Sequence, residues 1–88
     1  MKELTFFMLP SCPHCRLAQS FLDALKKENP AYAEIPIRRV DESREVALAN
    51  SYDYFYVPSF FIDKKKLFEG HMEKEDVRAV LDAALAKD

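Results

Sequence analysis

"LTFFMLPSCPHCRLAQSFL", residues 4–22, joins a short apolar run to an amphipathic one through a turn that holds both cysteines of the chain. The run from Leu4 to Leu9 is rich in phenylalanine and is ended by Pro10, so it reads as a strand buried on both faces. Pro13 suits the first turn of a helix, where its missing N–H is no loss. Leu17, Ala18, Phe21, Leu22 and Leu25 then recur at helical spacing and give one apolar face. Lys26 and Lys27 sit in the last turn, at the negative end of the helix dipole. Asn29 and Pro30 stop the helix. This order of strand, turn and helix places Cys12 just before or at a helix N-terminus, with Cys15 one turn later.

Outward from this unit, Ile37 to Asp41 reads as a second strand. Val46, Ala49 and Tyr52 or Asp53 mark a shorter helix. Val57 to Asp63 is a strand entered through Pro58, and Lys66 to Gly70 is another. The polar turn between them is too short for a crossover, so the two form an antiparallel hairpin. Val77, Val80, Leu81, Ala84 and Leu85 form a helical stripe, and Glu73, Glu75 and Asp76 crowd its first turn. The expected fold is α/β, in the order βαβ, then α, then ββα. Its first two strands are parallel, with a right-handed crossover, in a four-stranded mixed sheet flanked by helices. The 88 residues make a single domain, 1–88, without repeat or linker.

The formal net charge of -2 calls for no polyanionic partner, and nucleic acid is not expected. The basic run Lys64, Lys65 and Lys66 reads as a solvated turn. No segment is long and apolar enough to span a bilayer, so no membrane association is expected. The start lacks the longer apolar region and small-residue cleavage site of a signal peptide. The expectation is a cytoplasmic protein, whose thiols are mostly reduced.

At a helix N-terminus, unpaired N–H groups and the dipole favour negative charge, and a thiolate is such a charge. Cys12 is therefore the candidate attacking sulfur, and Cys15, more sheltered by the helix body, the candidate resolving thiol. His14 lies inside the same turn, where an imidazolium or N–H donor stabilises the thiolate further. A purely structural bridge is a poor alternative, because closing so short a loop removes little unfolded-state entropy. Zinc takes four ligands, and the chain offers Cys12, Cys15, His14 and, far along the sequence, His71. Haem attachment needs a histidine directly after the second cysteine, where Arg16 stands. Two readings stay open: an electron-exchange centre, or a non-enzymatic metal-binding or redox-sensing module built on the Cys12/Cys15 pair.

Pro58 follows β-branched Val57. In trans it would start an edge strand. In cis it would aim the N–H and C=O of Val57 outward near the helix tip, where an extended substrate could pair with them. Tyr52, Tyr54, Phe55 and Tyr56 read as core and loop packing, with a substrate groove as the other option. Met8 and Met72 read as gap-filling core residues.

With these residues in place the chain resembles the thioredoxin superfamily over nearly its full length, and is closest in size and layout to glutaredoxins. "LPSCPHC" is similar to the glutaredoxin Cys-Pro-Tyr-Cys motif with His14 in the tyrosine position. "SYDYFYVP" resembles the thioredoxin stretch that ends in a cis-proline, and "GHMEKEDVRAVLDAAL" resembles the glycine-plus-helix ending. The resemblance implies a thiol–disulfide oxidoreductase with Cys12, Pro13, His14 and Cys15 as its catalytic motif and Val57 and Pro58 at the substrate. Gly70 and Glu73 match part of the glutathione-binding segment, although Glu69 replaces the first glycine of that segment. Ser11 stands where thioredoxins have tryptophan, and Phe6 where they bury an aspartate. Substrates are then disulfide-containing proteins or small molecules. No metal or cofactor is bound, electrons come from glutathione or a flavin-dependent reductase, and the protein is a monomer.

Overall fold

The computed structural model describes residues 2–86. In chain order the elements are β1 (Leu4–Met8), α1 (Pro13–Glu28), α2 (Pro30–Ala33), β2 (Ile37–Asp41), α3 (Val46–Asn50), β3 (Ser59–Ile62), β4 (Lys65–Glu69) and α4 (Lys74–Leu85). The sheet order is β2-β1-β3-β4. β1 pairs parallel with β2 and antiparallel with β3, and β4 closes the hairpin antiparallel to β3. This is the mixed four-stranded sheet expected from the sequence.

β1 is buried at all five positions, because each of its faces meets a different layer. Leu4, Phe6 and Met8 point into the larger core with Ala18, Leu22 and Leu25 of α1, Tyr32 of α2, and Val77, Val80, Leu81 and Ala84 of α4. Phe6 stacks on Phe60 of β3 with ring centroids 4.6 Å apart. Such pairs add about 0.5–1.5 kcal/mol beyond the area they bury. Phe7 faces the other way, toward Val40, Ala49 and Phe61, and α3 covers that side. Met8 and Met72 are both buried, as expected for residues that fill the core.

Several boundaries differ from the sequence expectation. The buried stripe of α1 is Cys15, Ala18, Leu22 and Leu25, whereas Leu17 is 37% exposed. A period of 3.6 residues turns Leu17 about 100° away from Ala18, beyond the edge of the core. Asn29 and Pro30 end α1 and also begin α2. Asn29 donates its N–H to Leu25 of α1 at 3.0 Å, while its side chain caps α2 by accepting the Ala31 N–H at 3.0 Å. Cap residue and first-turn proline are start signals as much as stop signals. β3 begins at Ser59 rather than Val57, after a cis Val57–Pro58 bond. β4 begins at Lys65 rather than Lys66, after a two-residue turn in which Asp63 takes φ 56°. The lysine run is only partly a solvated turn. Lys64 Nζ donates to the Ser51 carbonyl at 2.9 Å and lies 4.2 Å from the Tyr52 ring centre, tying the hairpin turn to the end of α3. No helix among the described residues is long and apolar enough to cross a membrane.

Candidate active site

The loop leaving β1 brings Cys12 to the N-cap of α1. Its N–H donates to the Leu9 carbonyl at 3.1 Å, and its own carbonyl accepts the Arg16 N–H at 3.0 Å as the first helical bond. Pro13 fills the first helical position, so His14 and Cys15 supply the next two N–H groups, the ones an N-cap side chain addresses. Here the cap side chain is a thiol. It makes no full capping hydrogen bond in this geometry, yet its ionisation responds to these groups. Burial pushes the pKa of Cys12 up. The backbone N–H of Cys15, the Cys15 thiol, the backbone N–H of His14 and the charge of Arg16 together pull harder, and the net result lies below the ordinary thiol value.

Cys15 behaves in the opposite way. It is 2% exposed and belongs to the larger core. Burial pushes its thiol up to about 12. The backbone of Leu9 opposes this, while the neighbouring Cys12 sulfur and the charge of Glu42 push the same way. Both cysteines are free thiols in this structure. One sulfur is thus eased toward the anion at the helix tip, and its partner, one turn on, is held protonated. A dithiol with that division of labour is suited to disulfide exchange.

Pro58 enters the site from the sheet. Ser59 pairs with Phe7, which sets Pro58 beside the end of β1, where the Cys12 loop departs. The Pro58 side chain is fully buried, and its carbonyl accepts the Gly70 N–H at 2.8 Å. Val57 packs against both cores. Its N–H and C=O have no hydrogen-bond partner among the described residues next to Pro58.

Two side chains that local sequence spacing does not single out hold this loop. Glu69, at the end of β4, accepts the N–H of Phe55 and, at 2.8 Å, that of Tyr56, and Lys66 donates to its other oxygen at 2.7 Å. Ser59 donates its hydroxyl to the Tyr56 carbonyl. Lys66 is the main cause of a Glu69 pKa below the usual carboxylate value; burial pushes the other way, and the N–H groups of Phe55 and Tyr56 add to the lowering. The aromatic group splits in two. Tyr52 and Tyr54 pack on Phe7, with centroids at 4.7 and 4.8 Å, while Phe55 and Tyr56 are 83% and 69% exposed beside Val57. Tyr54 also donates to Glu42 at 2.6 Å.

His14 and Pro13 are exposed. The His14 ring turns toward His71, with 3.0 Å between the two Nδ1 atoms, so its backbone N–H rather than its ring is among the groups acting on Cys12. His71 Nε2 meets the carboxylate of Glu73. Among the described residues no three or more His, Cys, Asp or Glu side chains are grouped so as to hold a metal ion. A cavity of about 240 Å³ reaches Cys15 between Met8, Pro10, Arg16, Gln19 and Arg39. A larger recess of about 330 Å³ lies away from the cysteines, against Glu42, Tyr52, Tyr54 and Phe55.

Comparison with solved structures agrees with this architecture. A malarial protein matches over 96% of this chain and 97% of its own, at 19% identity and a TM-score of 0.70. An uncharacterized thioredoxin-like protein from Clostridium perfringens matches over 99% of this chain and 74% of its own, at 26% identity and a TM-score of 0.68. A single-residue mutant of a thioredoxin from Halobacterium salinarum matches over 98% of this chain and 76% of its own, at 17% identity and a TM-score of 0.71. No curated protein matches the sequence. The glutaredoxin family model matches residues 4–67, a span running from β1 through the dithiol and Pro58 into β4. With a Cys-x-x-Cys pair at the head of the first helix and a thioredoxin-like sheet behind it, the chain belongs to the glutaredoxin family of thiol–disulfide oxidoreductases.

Proposed function

We propose that the protein is a dithiol oxidoreductase in which Cys12 is the nucleophile and Cys15 the resolving thiol. The opposed ionisation of the two sulfurs, one lowered at the N-cap and one raised by burial a turn later, carries this reading. The Cys12 thiolate attacks one sulfur of a substrate disulfide. That S–S bond breaks, a Cys12–substrate mixed disulfide forms, and the other substrate sulfur leaves as a thiolate that takes a proton from solvent. Cys15 then attacks the Cys12 sulfur. The Cys12–Cys15 bond forms, and the second substrate sulfur leaves, taking the proton Cys15 gives up. The substrate gains two electrons and the protein loses two. Reversed, the same steps oxidise a dithiol.

Substrates in this reading are disulfide-containing proteins or small molecules, with the chain at Val57 pairing to free backbone groups next to Pro58. Two glutathione thiols or a flavin-dependent reductase return the electrons, and the protein works as a cytoplasmic monomer without a bound cofactor. The test is turnover of insulin and of a small disulfide, with glutathione plus its reductase or with a thioredoxin-type reductase as donor. Cys12→Ser is expected to abolish dithiol turnover, and Cys15→Ser to accumulate a mixed disulfide visible by mass. Equal activity in wild type and both variants would overturn the proposal.

A further inference from the structure

The recess of about 330 Å³ is walled by Glu42, Tyr52, Tyr54 and Phe55, and Ala49 and Asn50 complete it. That volume is at the small end for ligand pockets, roughly 300–1,000 Å³, and suits one side chain rather than a whole cofactor. The recess touches neither cysteine, yet it lies at the same end of the sheet. Glu42 directly follows β2 and donates its N–H to the carbonyl of Met8 at 3.1 Å, beside the strand end from which the Cys12 loop departs. Its charge acts on Cys15. Phe55 stands two residues ahead of Val57, so their Cα atoms are within about 7 Å of each other.

The walls combine one carboxylate with aromatic faces. Tyr54 donates its hydroxyl to Oε1 of Glu42 at 2.6 Å. Burial and this contact push the Tyr54 phenol pKa up, so the hydroxyl stays a donor and holds the carboxylate in place. The other carboxylate oxygen of Glu42 has no partner among the described residues. Phe7 stacks on one face of the Tyr54 ring at 4.8 Å and leaves the opposite face to the recess. Tyr52 already carries a cation: Lys64 Nζ lies 4.2 Å from its ring centre and is tied to the Ser51 carbonyl at 2.9 Å. Phe55 is 83% exposed while Glu69 holds its backbone N–H, so a fixed backbone presents its ring. Aromatic faces attract a cation through their quadrupole, and a carboxylate does so through charge-assisted hydrogen bonds. A guanidinium uses both at once, because its plane stacks on a ring while its N–H groups donate to the carboxylate. An anion would be repelled by Glu42, and a metal ion would find a single carboxylate.

We propose that this recess is a specificity subsite that takes the guanidinium of a substrate arginine two or three positions from the cysteine that Cys12 attacks. The proposal rests on the dithiol reading of the neighbouring site and names the substrate class it prefers. An extended chain rises about 3.4 Å per residue, so two residues of substrate span the step from Val57 to Phe55. Glu42 and Phe55 read the charge and take no part in the exchange itself. An ion pair and a cation–π contact open to solvent are each modest, so a preference of about fivefold in rate is the expected scale.

The test is single-turnover reduction of short peptides that carry one cysteine as a mixed disulfide with mercaptoethanol. The two electrons of the reduced protein split one such disulfide into peptide thiol and mercaptoethanol and leave the Cys12–Cys15 disulfide, so no donor is added. Arginine, its neutral isostere citrulline, or glutamate is placed two or three positions before or after the cysteine. Wild type is expected to reduce an arginine peptide about fivefold faster than the citrulline peptide of the same register, and the glutamate peptide slowest. Glu42→Gln keeps the shape and should bring the arginine-to-citrulline ratio close to unity. Phe55→Ala, at an exposed position, should lower the ratio about twofold. The ratio cancels any general effect on the sulfurs, including loss of the Glu42 charge at Cys15. Equal rates for arginine and citrulline, or a ratio indifferent to both substitutions, would overturn the inference. So would a ratio lost in Glu42→Gln and untouched in Phe55→Ala, the mark of long-range attraction alone. A second readout needs no turnover: the arginine peptide with serine in place of cysteine should shift the amide NMR signals of Phe55 and Asn50, and the citrulline peptide should not. An arginine peptide that binds there without being reduced removes the enzyme reading alone, and reduction without the preference removes only this inference.

Discussion

Gly70 donates its backbone N–H to the carbonyl of Pro58 at 2.8 Å, tying the end of β4 to the residue that leads into β3 beside the dithiol. Gly70 has φ +92°, a conformation costly for L side chains, and a Cβ built there would meet nothing within 4 Å. The cost of Gly70→Ala is therefore one of backbone conformation rather than collision, and should be about 1–2 kcal/mol. Urea unfolding of wild type and variant would measure it. A change below a few tenths of a kcal/mol would show that the segment relaxes without loss.

Glu69 holds the loop ahead of Pro58 through two backbone N–H groups, and Lys66 neutralises it. Hydrogen bonds to a charged acceptor contribute about 1.5–3 kcal/mol each when buried, and less at this partly exposed position. Glu69→Ala should destabilise the fold by about 1–2 kcal/mol. It should also raise KM for a protein disulfide more than it lowers kcat, because it frees the loop and leaves the sulfurs in place. The Glu69 pKa is lowered in the folded state, so its contribution is present above the ordinary carboxylate value and is lost as pH falls through the folded one. An acid limb of unfolding that is shallower in Glu69→Gln than in wild type is the measurable sign.

The sequence makes the dithiol and its setting legible because that chemistry is local. Strand, turn, proline and helix spacing all lie within residues 4–22, and Cys12 is indeed the N-cap. The stripe of α4 is legible for the same reason, since Val77, Val80, Leu81 and Ala84 repeat with the helix. The long-range contacts are hidden. Glu69 reaches Phe55 across 14 positions, and His71 reaches His14 across 57. Residue types alone assign no partner to either. His71 reads from sequence only as a remote metal ligand, and Glu73 only as an acid for glutathione. The structure joins the two instead.

The short helix α2 is a case where one signal has two meanings, and its tertiary role is testable. Tyr32 is 4% exposed and donates its hydroxyl to Asp82 of α4 at 2.5 Å. Tyr32→Phe keeps the buried ring and removes the hydroxyl, leaving Asp82 a partly exposed carboxylate that water can satisfy. The expected loss is about 1 kcal/mol. Tyr32→Ala also empties the ring's place between α1, α2 and α4 and should cost about 3–5 kcal/mol. Thermal unfolding of the two variants separates the terms. Equal losses would mean that the hydroxyl, not the ring, docks α2.

The two thiols predict opposite pH behaviour in the reduced protein. The Cys15 pKa is raised in the folded state to about 12 from an ordinary 9.0, chiefly by burial. Its contribution to stability is therefore complete below the ordinary value and is lost as pH rises through that window. Cys12 has a lowered pKa, so its thiolate favours the folded state at high pH, and that contribution fades as pH falls through the folded value. Unfolding free energies of reduced wild type and Cys15→Ala, compared from pH 8 to about 11.5, should converge as the Cys15 contribution disappears. Over the same range iodoacetamide should label Cys12 first, with Cys15 silent until the protein unfolds or the pH nears its own titration. Labelling of both sulfurs with one shared pH midpoint would contradict the asymmetry on which the proposed exchange depends.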